Sequence, residues 1–489
     1  MKQNEPFLAG FSKHLYGKAK RGAQEVMRRM RHSALRNSLS DYALLFDDVL
    51  PAEFLGKIDQ TKRQRHFGGV QVFWAWIGQI LEKNASCSRG LSLIQAWCCG
   101  AGLDPPIGDT SSYCQARLRV GDDFLAKILT RINQVQRRAM RSEDRWKGLV
   151  LKAFDGTSVK LMDTVENQEI YPQPSSQAEG CGFPVMGIVG LLNLSHGGWE
   201  GFTTGDSRRH DARAAQSLLK FIEAGDLVMG DRAFCSYELV ARTQQHGGEC
   251  LMRLHQARHR KLDWRRGKKI SPIERLVTWQ KPSKQPKTSD LSAEEWEALP
   301  DEITVGYIKL GYEDRSGDKS VMVVVTTLLD PEKYEAIEVI GLYARRWDIE
   351  VKFRDVKTTM GMEEFAVRSP AMAHKTLLMM MISYNLLRSL MQRSAAVAAK
   401  PLAEMSFKGT LDAVNTSHSL FRGLGLHHSK RAQLREVILS ICATKVLDIR
   451  PGRQEPRAIK RRPKPFQLLT APRHVFREIP HKENYRKVA

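Results

Sequence analysis

The chain has no apolar run long enough to cross a bilayer. Its most apolar stretch, LLMMMISYNLL (Leu377–Leu387), is too short and contains Ser383, Tyr384 and Asn385, so no membrane partner is expected. The N-terminal residues MKQNEPFLAGFSKHLYG lack the apolar core of a secretory leader. The eight cysteines show no CxxC spacing, which argues against a zinc ribbon or a disulfide framework and for reduced cytosolic thiols. No GxxxxGK[ST] loop occurs, so nucleotide hydrolysis is not implied. Negative charge is also in short supply. Against 76 Lys and Arg stand 54 Asp and Glu, a net charge of +22. Such an excess in a chain without export or membrane signals makes nucleic acid the default partner. At 489 residues the chain has room for several domains.

What is present changes character along the chain. Residues 1–145 read as helical. VFWAWIGQIL places Val72, Phe73, Trp76, Ile77 and Ile80 on one stripe, and FLAKILTRI does the same with Phe124, Ile128, Leu129 and Ile132. The basic stretch KAKRGAQEVMRRMRHSALR precedes them, and a small, basic, helical unit suits a module that reads DNA ends. A basic lid packed on the next domain is the other reading. From about residue 146 the pattern becomes β-like. LVLKAFDG reads as a short strand ending on Asp155, with VKLMD following after a turn. FPVMGIVGLLNL and WEGFTTG are further strands, then helix and strand alternate through DARAAQSLLKFIEAG, DLVMGDRAF, SYELVARTQQHG and ECLMRL. This order describes an α/β sheet with helices on its faces. Residues 256–333 break the alternation and read as a β-rich insertion. A Met-rich helical block spans 366–446, and a basic, Pro-containing tail covers 447–489.

Asp155 and Asp231 each stand at the end of a buried strand, where functional groups collect in α/β sheets. Taken singly, FDGT and GDRAF also suit turns. If the strands are neighbours, the carboxylates converge, and a hard divalent cation such as Mg²⁺ or Mn²⁺ would offset their burial. The stretch YARRWDIEVKFRDVK (Tyr343–Lys357) is read as one helix. Relative to Tyr343, Arg346 falls at about 300°, Glu350 at about 340° and Lys357 at about 320°. An apolar stripe of Ile349, Phe353, Val356 and Met360 runs beside them. An amphipathic surface helix with pairs such as Arg346–Glu350 and Asp348–Lys352 is the alternative, and Arg345, Asp348, Lys352 and Asp355 are read as ordinary surface charges.

The spacing Tyr343-x2-Arg346-x3-Glu350-x6-Lys357 resembles the YREK signature of the insertion-sequence-4 family of DDE transposases. DGTSVKLMDT and GDRAF look like that family's first-Asp and second-Asp segments. SSYCQARLR and the tail RPGRQEPRAIKRRPKPF are similar to it as well. The motifs occur in the family's order, from about Ser111 to Phe466. The resemblance implies an RNase H-like catalytic domain (146–365) that contains the β-rich insertion (256–333). Helical domains at 1–145 and 366–446 flank it, the first binding DNA ends, and the basic tail follows. It implies Asp155, Asp231 and Glu350 as a catalytic triad holding two Mg²⁺ or Mn²⁺ ions, and Tyr343, Arg346 and Lys357 as contacts to DNA phosphates. The implied substrate is double-stranded DNA, at element ends and at the target. A dimer in the synaptic complex and a cytoplasmic, nucleoid-associated bacterial location follow by analogy. An RNase H-like nuclease without strand transfer, or a non-catalytic DNA-binding protein, are the competing functions.

Some members of that family pass through a DNA hairpin with a flipped base on an aromatic residue. Trp264, Trp279 and Trp296 lie in the insertion, none matches residue by residue, and each is read as packing. His255 with His259, and His427 with His428, are read as solvated or surface residues rather than metal ligands. Arg388 is a candidate phosphate contact.

Overall fold

In the computed structural model VLKAFDGTSVKL is a single twelve-residue strand, β1 (Val150–Leu161), that runs straight through Asp155. The expected break after FDG does not occur. Asp-Gly favours a turn in isolation, but here Asp155 pairs with Gly190 and Gly156 with Val189 in a continuous antiparallel ladder to β2 (Val185–Asn193). The structure describes residues 41–60, 67–83, 85–101, 103–106, 108–207, 211–287, 289–313, 319–423, 428–447 and 468–476. The basic stretch at 18–36 and most of the tail lie outside these.

β2 hairpins into β3 (Trp199–Asp206). On its other edge β1 pairs in parallel with β4 (Asp226–Gly230), which pairs in parallel with β5 (Glu249–Arg253). The order β3-β2-β1-β4-β5, antiparallel then parallel, is the RNase H-like arrangement. Residues after β5 continue the same sheet. β6 (Lys268–Lys269), β7 (Glu274–Gln280), β8 (Glu302–Glu313) and β9 (Lys319–Thr326) follow, with β9 antiparallel to β5. A short β10 (Glu364–Phe365) pairs with the far end of β1.

The strands sort residues between two cores because side chains alternate across a sheet. Leu151, Ala153, Val159 and Leu161 of β1 face the larger core, together with Leu227 and Met229 of β4. Phe154 and Val228 face the other core, which Trp279 and Trp296 complete. The larger core is closed by helices Gly69–Leu81, Asp122–Arg138 and Pro370–Val397. Val72, Phe73, Trp76, Ile77 and Ile80 are buried there, as are Phe124, Ile128, Leu129 and Ile132. Pro370–Val397 is buried over most of its surface, starts on the Ser369 cap and carries Pro at its first turn. Among the described residues no helix is long and apolar enough to cross a membrane.

At the foot of β1 and β4 sits a buried ionic cluster. The Lys152 ammonium lies 2.8 Å from Asp226 Oδ2 and 3.4 Å from Glu200 Oε1, and it donates to the Phe221 carbonyl at 2.6 Å. Arg137 reaches Asp226 at 3.2 Å. Asn193 donates to Glu200 at 2.9 Å, and His196 Nε2 lies 3.5 Å away. Burial alone would raise the Glu200 carboxyl, but His196, Lys152 and Asn193 together outweigh it and hold the group at about 2. Asn385 of the long helix accepts from the Trp199 N–H at 2.8 Å and donates to Asn133 at 2.7 Å, which ties both helical regions to the sheet.

Candidate active site

Pairing of β1 with β4 stops at Ala153 opposite Met229. Two residues further along each chain come Asp155 and Asp231. Adjacent strands lie about 5 Å apart, so Asp155, within β1, and Asp231, just past the end of β4, stand side by side. Asp155 shares the β1 face of Ala153 and therefore looks toward the larger core's helices. The backbone N–H of Gly156 donates to Asp155 Oδ1 at 2.9 Å, and that of Ala233 to Asp231 Oδ1 at 2.7 Å. Each carboxylate is thus oriented from below.

The stretch from Tyr343 is helical but not one α-helix. An α-helix (Ala336–Ala344) passes into a 3₁₀ turn (Arg345–Trp347), a second α-segment (Asp348–Arg354) and a π-turn (Asp355–Thr359). The uniform wheel is corrected accordingly. The 3₁₀ turn overwinds the chain and the π-turn underwinds it, so the two departures oppose each other between Tyr343 and Lys357. Ile349, Phe353 and Val356 are buried in the same core as Ala153 and Met229. The helix therefore lies over the strand face from which Asp155 projects. Glu350 is on its second segment, while the side chain of Glu350 lies outside the described residues.

Tyr343 is buried, and its hydroxyl donates to the Gly230 carbonyl, next to Asp231, at 3.3 Å. Burial raises the phenol above its ordinary value; Arg346 opposes this and Asp231 adds to it. The Arg346 guanidinium lies 6.0 Å from the Tyr343 ring centre. Lys357 is half-buried, and burial lowers its ammonium, with Glu363 and Asp155 pulling it back. It lines a cleft of about 340 Å³ with Gly156, Thr157, Thr204, Asp206 and Asp211. Asp231, Tyr343 and Arg346 thus form one group, and Asp155 and Lys357 another, at the adjacent strands β4 and β1.

Other residues depart from expectation. Asp348 lies 3.8 Å from Arg345, a weak pair within one turn, instead of pairing with Lys352. Lys352 and Asp355 are not an ordinary surface pair. Burial, aided by Arg388, pulls the Lys352 ammonium down to about 7, and burial pushes the Asp355 carboxyl up. Arg388 is 2% exposed and packs against Gly197 and Met391, so it is not open to a phosphate. Trp279 donates to the Tyr307 hydroxyl at 2.7 Å inside the second core, with Arg258 stacked 4.1 Å over its ring. Trp296 is buried, and Trp264 lies beneath Arg275 and Lys309. His255 caps a short helix by accepting from the Ala257 N–H. His427 lies outside the described residues.

Among the described residues no three His, Cys, Asp or Glu side chains form a metal-holding group. The oxygen-only donors Asp155 and Asp231, on neighbouring strands and oriented by backbone N–H groups, fit a hard divalent cation that a third carboxylate would complete.

Residues 146–386 match the family described as Transposase DDE domain. The chain is 24% identical over 447 residues to the transposase InsG of insertion sequence element IS4 from Escherichia coli (strain K12), covering 91% of this chain and 96% of that protein. The chain belongs to the insertion-sequence-4 family of DDE transposases. As a DDE transposase it belongs to enzymes that generally use divalent metal ions. A solved piggyBac transposase synaptic complex with hairpin DNA is similar over 86% of this chain and 88% of that one, at 12% identity and a TM-score of 0.41.

Three further neighbours of this transposase's site carry no signal in the sequence. Arg253, at the end of β5, acts electrostatically on Tyr343. Asp211 sits over Gly156, where an added Cβ would lie 3.0 Å from its carboxylate. Lys83, from the N-terminal helical region, reaches the π-turn. Each meets the site across a large gap in the chain, which periodicity cannot register.

Proposed function

We propose that this transposase cuts DNA at the ends of an insertion sequence and joins the freed ends to target DNA, with Asp155, Asp231 and Glu350 as its triad. The observation that carries the reading is that Asp155 and Asp231 each lie two residues beyond the last β1–β4 pair, Ala153 with Met229, beneath the helix on which Glu350 stands. Two Mg²⁺ or Mn²⁺ ions, when bound, would supply activation of the attacking oxygen and stabilisation of the leaving 3′-oxygen. Asp155 would contribute to both positions, and Asp231 and Glu350 to one each. Arg346 and Lys357 would hold phosphate oxygens as cations beside the carboxylates. Tyr343, through its bond to Gly230, would fix the end of β4 and with it Asp231.

Residues 1–145 would bind the element end, 146–365 would carry the chemistry with 256–333 as its insertion, and 366–446 would brace the catalytic helix. The basic residues of 447–489 would meet the DNA backbone. Two copies would assemble on paired ends. Substituting Asp155→Ala, Asp231→Ala or Glu350→Ala tests the triad on a duplex carrying the element's own terminal sequence with Mg²⁺. Cleavage is expected to vanish in each variant while duplex binding persists; cleavage in all three would sink the mechanism.

A further inference from the structure

Lys83 follows helix Gly69–Leu81 and is exposed, and its ammonium donates to the Thr358 carbonyl at 2.6 Å. Thr358 adjoins Lys357 in the π-turn. The neighbouring acid does not compete for Lys83, because both oxygens of Glu82 are engaged by Arg89, at 2.8 and 2.5 Å. No described carboxylate is paired with Lys83. A lysine ammonium has three donors; one is spent on Thr358, and the residue is exposed. The position is held from several sides. Asn415 donates to the Leu81 carbonyl at 2.9 Å, and the Tyr42 hydroxyl donates to Asn415 at 3.2 Å. Gln79, one turn earlier, accepts from the Tyr113 hydroxyl at 3.1 Å.

The arrangement puts an exposed, carboxylate-free cation one residue from the half-buried Lys357, on an element from the other side of the sheet sequence. We propose that Lys83 is a DNA phosphate contact that continues the Lys357 position outward, so that one strand touches both the N-terminal helical region and the catalytic helix. This rests on the DNA-cleaving reading above. Lys83 is a contact from the binding region, and its hydrogen bond to Thr358 sets how far the ammonium stands from Lys357.

The test uses the full chain and a duplex of the element's terminal sequence, unmodified or with one neutral methylphosphonate at successive positions. Wild type, Lys83→Ala and Lys83→Arg are compared for binding against salt and for cleavage with Mg²⁺. The slope of log affinity against log salt is expected to fall by about one in Lys83→Ala and to return in Lys83→Arg. One methylphosphonate near the cut is expected to weaken the wild type about tenfold and leave Lys83→Ala unaffected. An unchanged slope, or equal sensitivity of both proteins at every position, overturns the proposal, including when cleavage falls because only the Thr358 bond mattered. If the wild type binds but does not cut, the catalytic reading fails, while the slope still decides the role of Lys83.

Discussion

Lys152→Met removes the central cation of the buried cluster beneath the site. The side chains of Lys152 and Asp226 are 1% and 0% exposed, so water cannot replace the lost partner. Breaking a buried pair from one side costs about 3–5 kcal/mol, because the remaining charge stays buried. Here Asp226 keeps Arg137, and Glu200 keeps Asn193 and His196. The lower end, about 3 kcal/mol, is therefore expected, or roughly a hundredfold in the local opening equilibrium. For a chain this large a single unfolding energy is poorly defined. Hydrogen exchange followed by mass spectrometry on β1 and β4 peptides reads the local value. Protection there should fall by about two orders of magnitude in Lys152→Met. Lys408→Met, which removes an exposed pair to Asp412, should change protection by less than about fivefold. Equal protection in Lys152→Met and wild type would refute the view that this cluster holds the two acid-bearing strands together.

Three further outcomes are expected. The Lys352 ammonium is held at about 7 in the folded chain against 10.5 normally, so the unfolded chain binds more protons between those values. Stability should therefore rise with pH from about 7 toward about 10.5, and Lys352→Met should flatten that rise in denaturation at several pH values. Tyr343→Phe removes the bond to Gly230, which should cost about 1 kcal/mol in stability and slow cleavage more than it weakens binding, measured by single-turnover kinetics. Arg473 pairs with Asp163 and donates to the Gly180 and Gly182 carbonyls, so Arg473→Ala should make the 468–476 segment more open to limited proteolysis without altering β1 protection.

Much of this architecture was legible because apolar patterning reports burial directly. The stripes on Gly69–Leu81 and Asp122–Arg138 and the apolar run of β2 all face cores. Local signals failed where distant pairing overrode them. Asp155-Gly156 suggested a turn, yet the partners on β2 keep β1 extended. ERLVTWQ carries little strand signal of its own, because the strand character of β7 depends on pairing with β8. A uniform wheel located the face of Tyr343–Lys357 but had no means of showing the 3₁₀ and π turns. Lys352 and Asp355 looked like surface charges because Arg388, the group that defines their surroundings, belongs to a different helix.

The most direct test of the account is strand transfer by a pre-cleaved element end into plasmid DNA with Mg²⁺, comparing wild type with Glu350→Gln. The account predicts joined products from the wild type alone, with both proteins binding the end equally. Joined products from Glu350→Gln at the wild-type rate would contradict the claim that Glu350 completes the site formed by Asp155 and Asp231.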